Sequence, residues 1–210
     1  MRFSALMPAL TTLAVWFVVG MVYLWDIRLY SSRTYLRRMP NYRHFSHALI
    51  ACQITGMLTG AGQLSPGKPF AWIASWLGFL LGVGGFILCL WAKKTLGPFW
   101  DRHASIQVDH RLVRTGPYAW CRNPIFLGQF GLFVGAGLAS LNGVALICCA
   151  PALWSFYRRL HTEEILLAEH FGQEYESYRS DVSCLWPVPT RLQPRSATMS
   201  VPSELLKTSE

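Results

Sequence analysis

Long uncharged runs alternate with short blocks of charge along this chain, and the runs predict helices that cross a membrane. Phe3 to Trp25 holds no charge and, at 1.5 Å per residue, is long enough for a hydrocarbon layer of roughly 30 Å. Ser46 to Gly62 is a weaker second run, interrupted by Gln53, threonines and glycines, and Phe70 to Trp91 is a strong third. The fourth and fifth, Pro124 to Ala139 and Leu141 to Tyr157, are separated only by a turn at Ser140-Leu141-Asn142-Gly143 and predict a tight helical hairpin. Each of these two is short for a full crossing, so the hairpin tilts, thins the bilayer or stops short of its far surface. Beyond Tyr157, the recurrence of Leu160, Glu164, Leu167 and Phe171 continues the helix out of the membrane to a stop at Gly172. FGQEYESYR then starts a short amphipathic unit, and a loose tail of proline and small polar residues follows Trp186. The pattern predicts an all-α, polytopic integral membrane protein of about five transmembrane helices, the last two a hairpin, followed by a cytosolic helical segment.

Charge orients this map. Apolar residues form 52% of the 210 positions and charged residues 14%. Of 19 lysines and arginines, only Arg2 and Lys68 fall on one side of the expected membrane. The positive-inside rule therefore puts the amino terminus outside and the carboxyl terminus in the cytoplasm. All 11 acidic residues share the cytoplasmic side and mark it as the polar working surface. The net charge of +8 belongs to topology and anionic headgroups; no zinc finger or phosphate loop argues for nucleic acid. One arginine precedes the first run and the block of basic residues follows it, which predicts an uncleaved anchor. The six cysteines form no CxxC pair, and four lie in or beside apolar runs as small buried hydrophobes, so no metal site is expected. Arginines and tyrosines between Arg28 and Arg43 suit the headgroup region. Gly78, Gly82, Gly84 and Gly85 on the third run, and Gly128, Gly131 and Gly135 on the fourth, predict close helix packing. The same thin surface at Gly128 and Gly131 would also let a bulky ligand reach the backbone.

Chemistry concentrates at TGPYAWCRNPIFLGQF, residues 115–130. Gly116-Pro117 makes a turn, Tyr118 and Trp120 suit the interface, and Pro124 fits the first turn of the fourth helix. Proline holds Asn123 out of helical geometry, so Arg122 and Asn123 occupy a corner beside a helix N-terminus, a plausible carboxylate receptor. The hairpin returns Glu163 and Glu164 to the same interface. A ligand bearing both carboxylate and ammonium, such as the amino-acid end of S-adenosylmethionine, matches that set. The other reading pairs Arg122 with Glu163, Glu164 or a lipid phosphate, with nothing bound between them.

LVRTGPYAWCRNPIFLG, then EEILLAEHFGQEYESYRSDV and Trp186-Pro187, resembles the catalytic half of the membrane-embedded isoprenylcysteine carboxyl methyltransferase family, within the wider phospholipid methyltransferase-like group. The likeness covers about His110 to Pro187. It implies a pocket for S-adenosylmethionine closed by the last two transmembrane helices and their cytosolic flanks, with lipid-like acceptors entering from the bilayer. Gly116, Pro117 and Tyr118 match the turn before the family signature, Arg122, Pro124 and Gly128 its arginine, proline and glycine, and Glu163 and Glu164 its carboxylates. The usual histidine is Asn123 and the usual tyrosine is Phe126. Asparagine cannot become cationic or shuttle a proton near neutral pH.

The resemblance implies Arg122 and Asn123 as catalytic residues. It implies Leu112, Val113, Gly116, Tyr118, Arg122, Gly128, Glu163 and Glu164 around the cofactor, with Leu112, Val113 and Tyr118 beside the nucleoside. A carboxylate acceptor is ionised at pH 7 and needs no base, whereas an amine must lose a proton; the missing histidine therefore favours a carboxylate or thiol. His110, His161 and His170 are the other candidate bases. The competing classes are a noncatalytic scaffold of the same fold, a phospholipid N-methyltransferase and, against the near absence of ionisable residues in the spans, a transporter. The expected organisation is a transmembrane part over 1–106, a catalytic region over 107–189 and a tail over 190–210.

Overall fold

Residues 68–101 and 105–185, the strand 35–38 and a few positions between 51 and 64 are described by a computed structural model of the chain. The run expected at 3–25, most of that at 46–62 and the tail lie outside the described residues. Helix α1 spans Lys68–Leu96. It stops where Gly97 takes φ +55° and Pro98 follows, and Lys93 and Lys94 in its last turn oppose the helix dipole. Phe70, Trp72, Ile73, Trp76, Leu77 and Leu80 are all exposed on it. A patch of this size is foreign to a water-facing surface and normal against lipid. Among the described residues, Phe70–Phe99 is the stretch long and apolar enough to cross a membrane, and Pro124–Ala139 is a shorter apolar helix.

Helix α2, Pro124–Ala139, lies against α1 at backbone contact. A Cβ added to Gly85 would come within 2.5 Å of the Gly128 carbonyl oxygen, and one on Gly135 within 2.5 Å of the Gly82 nitrogen. Gly78, Gly85, Gly128, Gly131 and Gly135 therefore thin the two helices for each other, whereas a Cβ on Gly82 or Gly84 would meet nothing within 4 Å. Ser140 ends α2, its hydroxyl donating to the Ala136 carbonyl at 2.8 Å. The fully buried Asn142 caps α3, Gly143–Phe171, by accepting from the Ala145 N–H at 2.9 Å. Phe133 and Ala136 of α2 pack on Cys149 and Ala152 of α3. Helix α3 then runs unbroken through the expected 157–172 segment and ends at Gly172, with φ +51°. Helix α4, Gln173–Asp181, folds back with Tyr175 and Tyr178 buried against Leu112, Leu167 and Phe171.

One element departs from the all-α expectation. Tyr35–Arg38 (β1) pairs antiparallel with Ser105–Gln107 (β2), interrupted by an irregularity between Tyr35 and Arg37. The ladder satisfies backbone groups of two basic loops without a helix. It also seats Ile106, 2% exposed, on Leu166 and Leu167 of α3, which builds a wall beside the helix exit.

Candidate active site

The corner at residues 115–124 forms as its sequence demands. Gly116, at φ +59°, opens a 3-10 turn over Gly116–Ala119 beside Thr95. Trp120 meets Trp91 edge-on at 5.6 Å. The Cys121 N–H donates to the Pro117 carbonyl at 3.1 Å, and Pro124 starts α2 with Asn123 just outside the helix, at φ −127° and ψ 57°. The Asn123 side chain does not cap α2; its amide nitrogen donates to Glu164 Oε1 at 3.0 Å and to the Cys184 carbonyl at 3.2 Å.

Arg122 is the hub of this corner. Its Nε and Nη2 donate to Glu164 Oε1 at 3.0 and 2.9 Å, and Nη1 donates to the carbonyls of Arg179 and Val182 at 2.9 and 2.6 Å. Its backbone N–H donates to the Ser183 carbonyl at 3.0 Å. The side chains of Arg122 and Glu164 are only 8% and 12% exposed. Burial pulls the arginine pKa down, but the hydrogen bond and charge of Glu164 outweigh it and hold the guanidinium above its ordinary value. Tyr178 ties the same segment to the turn, its hydroxyl donating to the Tyr118 carbonyl at 2.6 Å in a buried contact.

Beside this corner lies a cavity of about 130 Å³. Its apolar wall includes Phe99, Trp100, Leu112, Val113, Tyr118 and Phe126, and its ionisable lining includes Arg111, Arg122, Arg159 and Glu163. Arg159 Nε donates to Glu163 Oε1 at 2.9 Å across one turn of α3. Their side chains are 28% and 24% exposed, clearly more open than the Arg122 pair. The Arg159 guanidinium also lies 5.5 Å from the Phe126 ring centre. His110 lines the cavity, stacked on Phe99 at 5.0 Å and edge-on to Phe171 at 5.7 Å. Burial, then the charge of His170, pushes its pKa down to about 4. The ring is neutral at pH 7, and its Nδ1 accepts from the Gln107 N–H at 3.5 Å. Burial raises the Cys121 thiol to about 11, so it stays protonated at pH 7.

The expected residues thus fall into separate places. Leu112, Val113, Tyr118, Arg122, Asn123 and Glu163 line the cavity. Glu164 lies behind that wall, bound to Arg122 and Asn123. Gly116 shapes the turn beside Thr95, and Gly128 faces α1, where an added Cβ would meet Cys89 Sγ and the Gly85 carbonyl oxygen at 2.5 Å. Arg159 is a lining residue outside the expected set, and its i,i+4 spacing from Glu163 is the signal in the sequence that points to it. Phe99 and Trp100 come to the cavity by tertiary folding and carried none.

Comparison with known proteins matches residues 76–169 to the family model described as the isoprenylcysteine carboxyl methyltransferase (ICMT) family. A mouse protein-S-isoprenylcysteine O-methyltransferase is 33% identical over 118 residues, which is 55% of this chain and 41% of the mouse protein. The protein of that name from Saccharomyces cerevisiae is 41% identical over 75 residues, 35% of this chain and 31% of the yeast protein. The chain thus spans less than half the length of either relative. The solved structure of a eukaryotic intramembrane Ras methyltransferase, ICMT, superposes with a TM-score of 0.58 at 25% identity, over 71% of this chain and 54% of that one.

Proposed function

We propose, from the premise that the chain belongs to the isoprenylcysteine carboxyl methyltransferase family, that it is a membrane methyltransferase using S-adenosylmethionine. Its proposed acceptor is the carboxylate of a lipid-modified cysteine. The observation that carries this reading is the cavity itself. Its lining combines aromatic and aliphatic side chains with both signs of charge, and it lies where α3 leaves the apolar layer. Those linings suit a ligand with a flat nucleoside and a zwitterionic end.

Leu112, Val113 and Tyr118 would hold the nucleoside, Glu163 the ammonium and Arg111, on the loop side, the carboxylate. Arg122 is part of this wall and Glu164 braces it from behind, because the guanidinium is already engaged by Glu164 and two carbonyls. S-adenosylmethionine, when bound, would supply a methyl group already activated by its sulfonium leaving group, open to direct displacement by an acceptor oxygen. No proton moves when the acceptor is a carboxylate. The protein's task is to align the two partners and exclude water, and a His110 too weakly basic to hold a proton near pH 7, with a protonated Cys121, fits a site that needs no base.

The catalytic region is assigned to 107–189 and its working face to the cytoplasm, with the amino terminus outside. The clustering of basic residues supports this orientation, and about five spans follow from the apolar runs. Transfer of isotope-labelled methyl from S-adenosylmethionine to a panel of prenylcysteines, phospholipids and small thiols tests the reading. Labelled methyl ester on the prenylcysteines is expected. Correctly folded protein that shows neither transfer nor a thermal shift with millimolar S-adenosylmethionine would overturn it.

A further inference from the structure

The cavity has depth, and its charges are ordered along that depth. On α3 the cavity is lined by Leu167 and Leu166, then Glu163, then Arg159. Arg159 lies one turn, about 6 Å, nearer the apolar half of the helix, where Ala152 and Cys149 pack on α2. On α2 the lining runs from Pro124 to Gln129, again into the apolar layer. Arg159 and Gln129 therefore line the membrane-facing end, while Arg111, His110 and Ser105 line the loop end.

Resting on the methyltransferase reading, we infer that Arg159, with Gln129, receives the acceptor's carboxylate at the membrane-facing end of the cavity. Arg122 is poorly placed for this role. Its Nε and Nη2 donate to Glu164, its Nη1 donates to two backbone carbonyls, and its side chain is 8% exposed. Arg159 is held by an i,i+4 partner that itself lines the cavity, in a pair whose side chains keep 28% and 24% of their surface exposed. Such a pair keeps two opposite charges neutralised until ligands divide it. An ammonium can take Glu163 from the loop end, and a carboxylate can take Arg159 from the apolar end. Phe126 then has a specific part: its ring supports the guanidinium at 5.5 Å, and it packs on Phe156 at 6.4 Å beside the apolar approach. The planar fork of arginine fits a carboxylate in two-point contact, which lysine cannot reproduce.

The test compares S-farnesylcysteine carrying a free carboxylate with its carboxamide, which has the same shape and no charge. Binding of each to purified protein is read directly, and methyl transfer to the carboxylate form is read separately. Wild type should bind the carboxylate form more tightly. Arg159→Gln should weaken that form by about tenfold to a hundredfold, the usual cost of a lost charge-assisted hydrogen bond, and bring the two forms to similar affinity. Arg159→Lys should restore only part of the preference. A merely structural arginine would weaken both forms alike. If the preference survives in Arg159→Gln with an unchanged unfolding temperature, the assignment of Arg159 is overturned while the methyltransferase reading stands. If wild type transfers no methyl to any acceptor and binds no S-adenosylmethionine, the methyltransferase reading fails, and this inference with it.

Discussion

Two arginine–glutamate pairs stand one helical position apart on α3 and make opposite use of similar chemistry. Arg122–Glu164 joins the start of α2 to α3 across 42 residues, is almost sealed from solvent, and spends its remaining donors on carbonyls at the end of α4. Arg159–Glu163 stays within one helix, is open to the cavity, and rests on an aromatic ring. The first pair fixes where the chain goes. The second offers charge to a visitor. Burial decides between these uses, because an ion sealed in protein has no water to fall back on when its partner leaves, whereas a half-open pair exchanges partners at little cost.

The largest expected effect comes from breaking the sealed pair. Glu164→Gln leaves Arg122 charged, buried and without its counter-ion, a change that typically costs about 3–5 kcal/mol. Chemical unfolding in detergent should show it as a clear drop in midpoint, and an unchanged midpoint would mean that water reaches the pair. Tyr178→Phe probes the same structure from α4. It strands the buried Tyr178–Tyr118 acceptor and should cost about 1–3 kcal/mol, with Arg122 losing order in its two carbonyl contacts.

On the cavity side, the pH dependence belongs to His110. The His110 pKa falls from 6.5 in an unstructured chain to about 4 in the fold, so the unfolded state takes up the proton first. Its contribution to stability is whole above about pH 6.5 and is lost as pH falls toward 4. His110→Asn should flatten the unfolding midpoint over that range, and an unaltered profile would reassign the acid sensitivity. The smallest effect on stability belongs to Glu163→Gln, about 0.3–0.5 kcal/mol for an exposed i,i+4 pair. Calorimetry should nevertheless show weakened S-adenosylmethionine binding. A large loss of stability with intact binding would exchange the roles of the two glutamates.

Local signals were legible in the sequence, and partner choice was not. Pro124 after Asn123 sets the start of α2 because proline tolerates only the first turn, and Gly172 ends α3 because its φ is positive. The glycines of α1 and α2 announced close packing, although their alternative use as a ligand-facing surface could be judged only once α1 was seen against Gly128. That Arg122 and a neighbouring glutamate meet was foreseeable from the order of helices. That its other donors end on the carbonyls of Arg179 and Val182 was not. Every residue carries a carbonyl, so such partners leave no mark in the sequence. The β1–β2 ribbon was hidden for a similar reason, since it joins segments some 70 residues apart through backbone groups alone.

The turn between α2 and α3 sits well inside the length of α1. Ala139 meets α1 at Gly78, so residues 68–77 continue about 15 Å past it at 1.5 Å per residue. The turn closes without water: the N–H groups of Ser140, Leu141 and Asn142 donate to the carbonyls of Ala136, Leu138 and Gly137, and the Leu141 carbonyl accepts from the Leu64 N–H. It can therefore rest in hydrocarbon. Over that overhang, the exposed Phe70, Trp72, Ile73 and Trp76 of α1 are left to lipid or to another helix rather than to the α2–α3 hairpin.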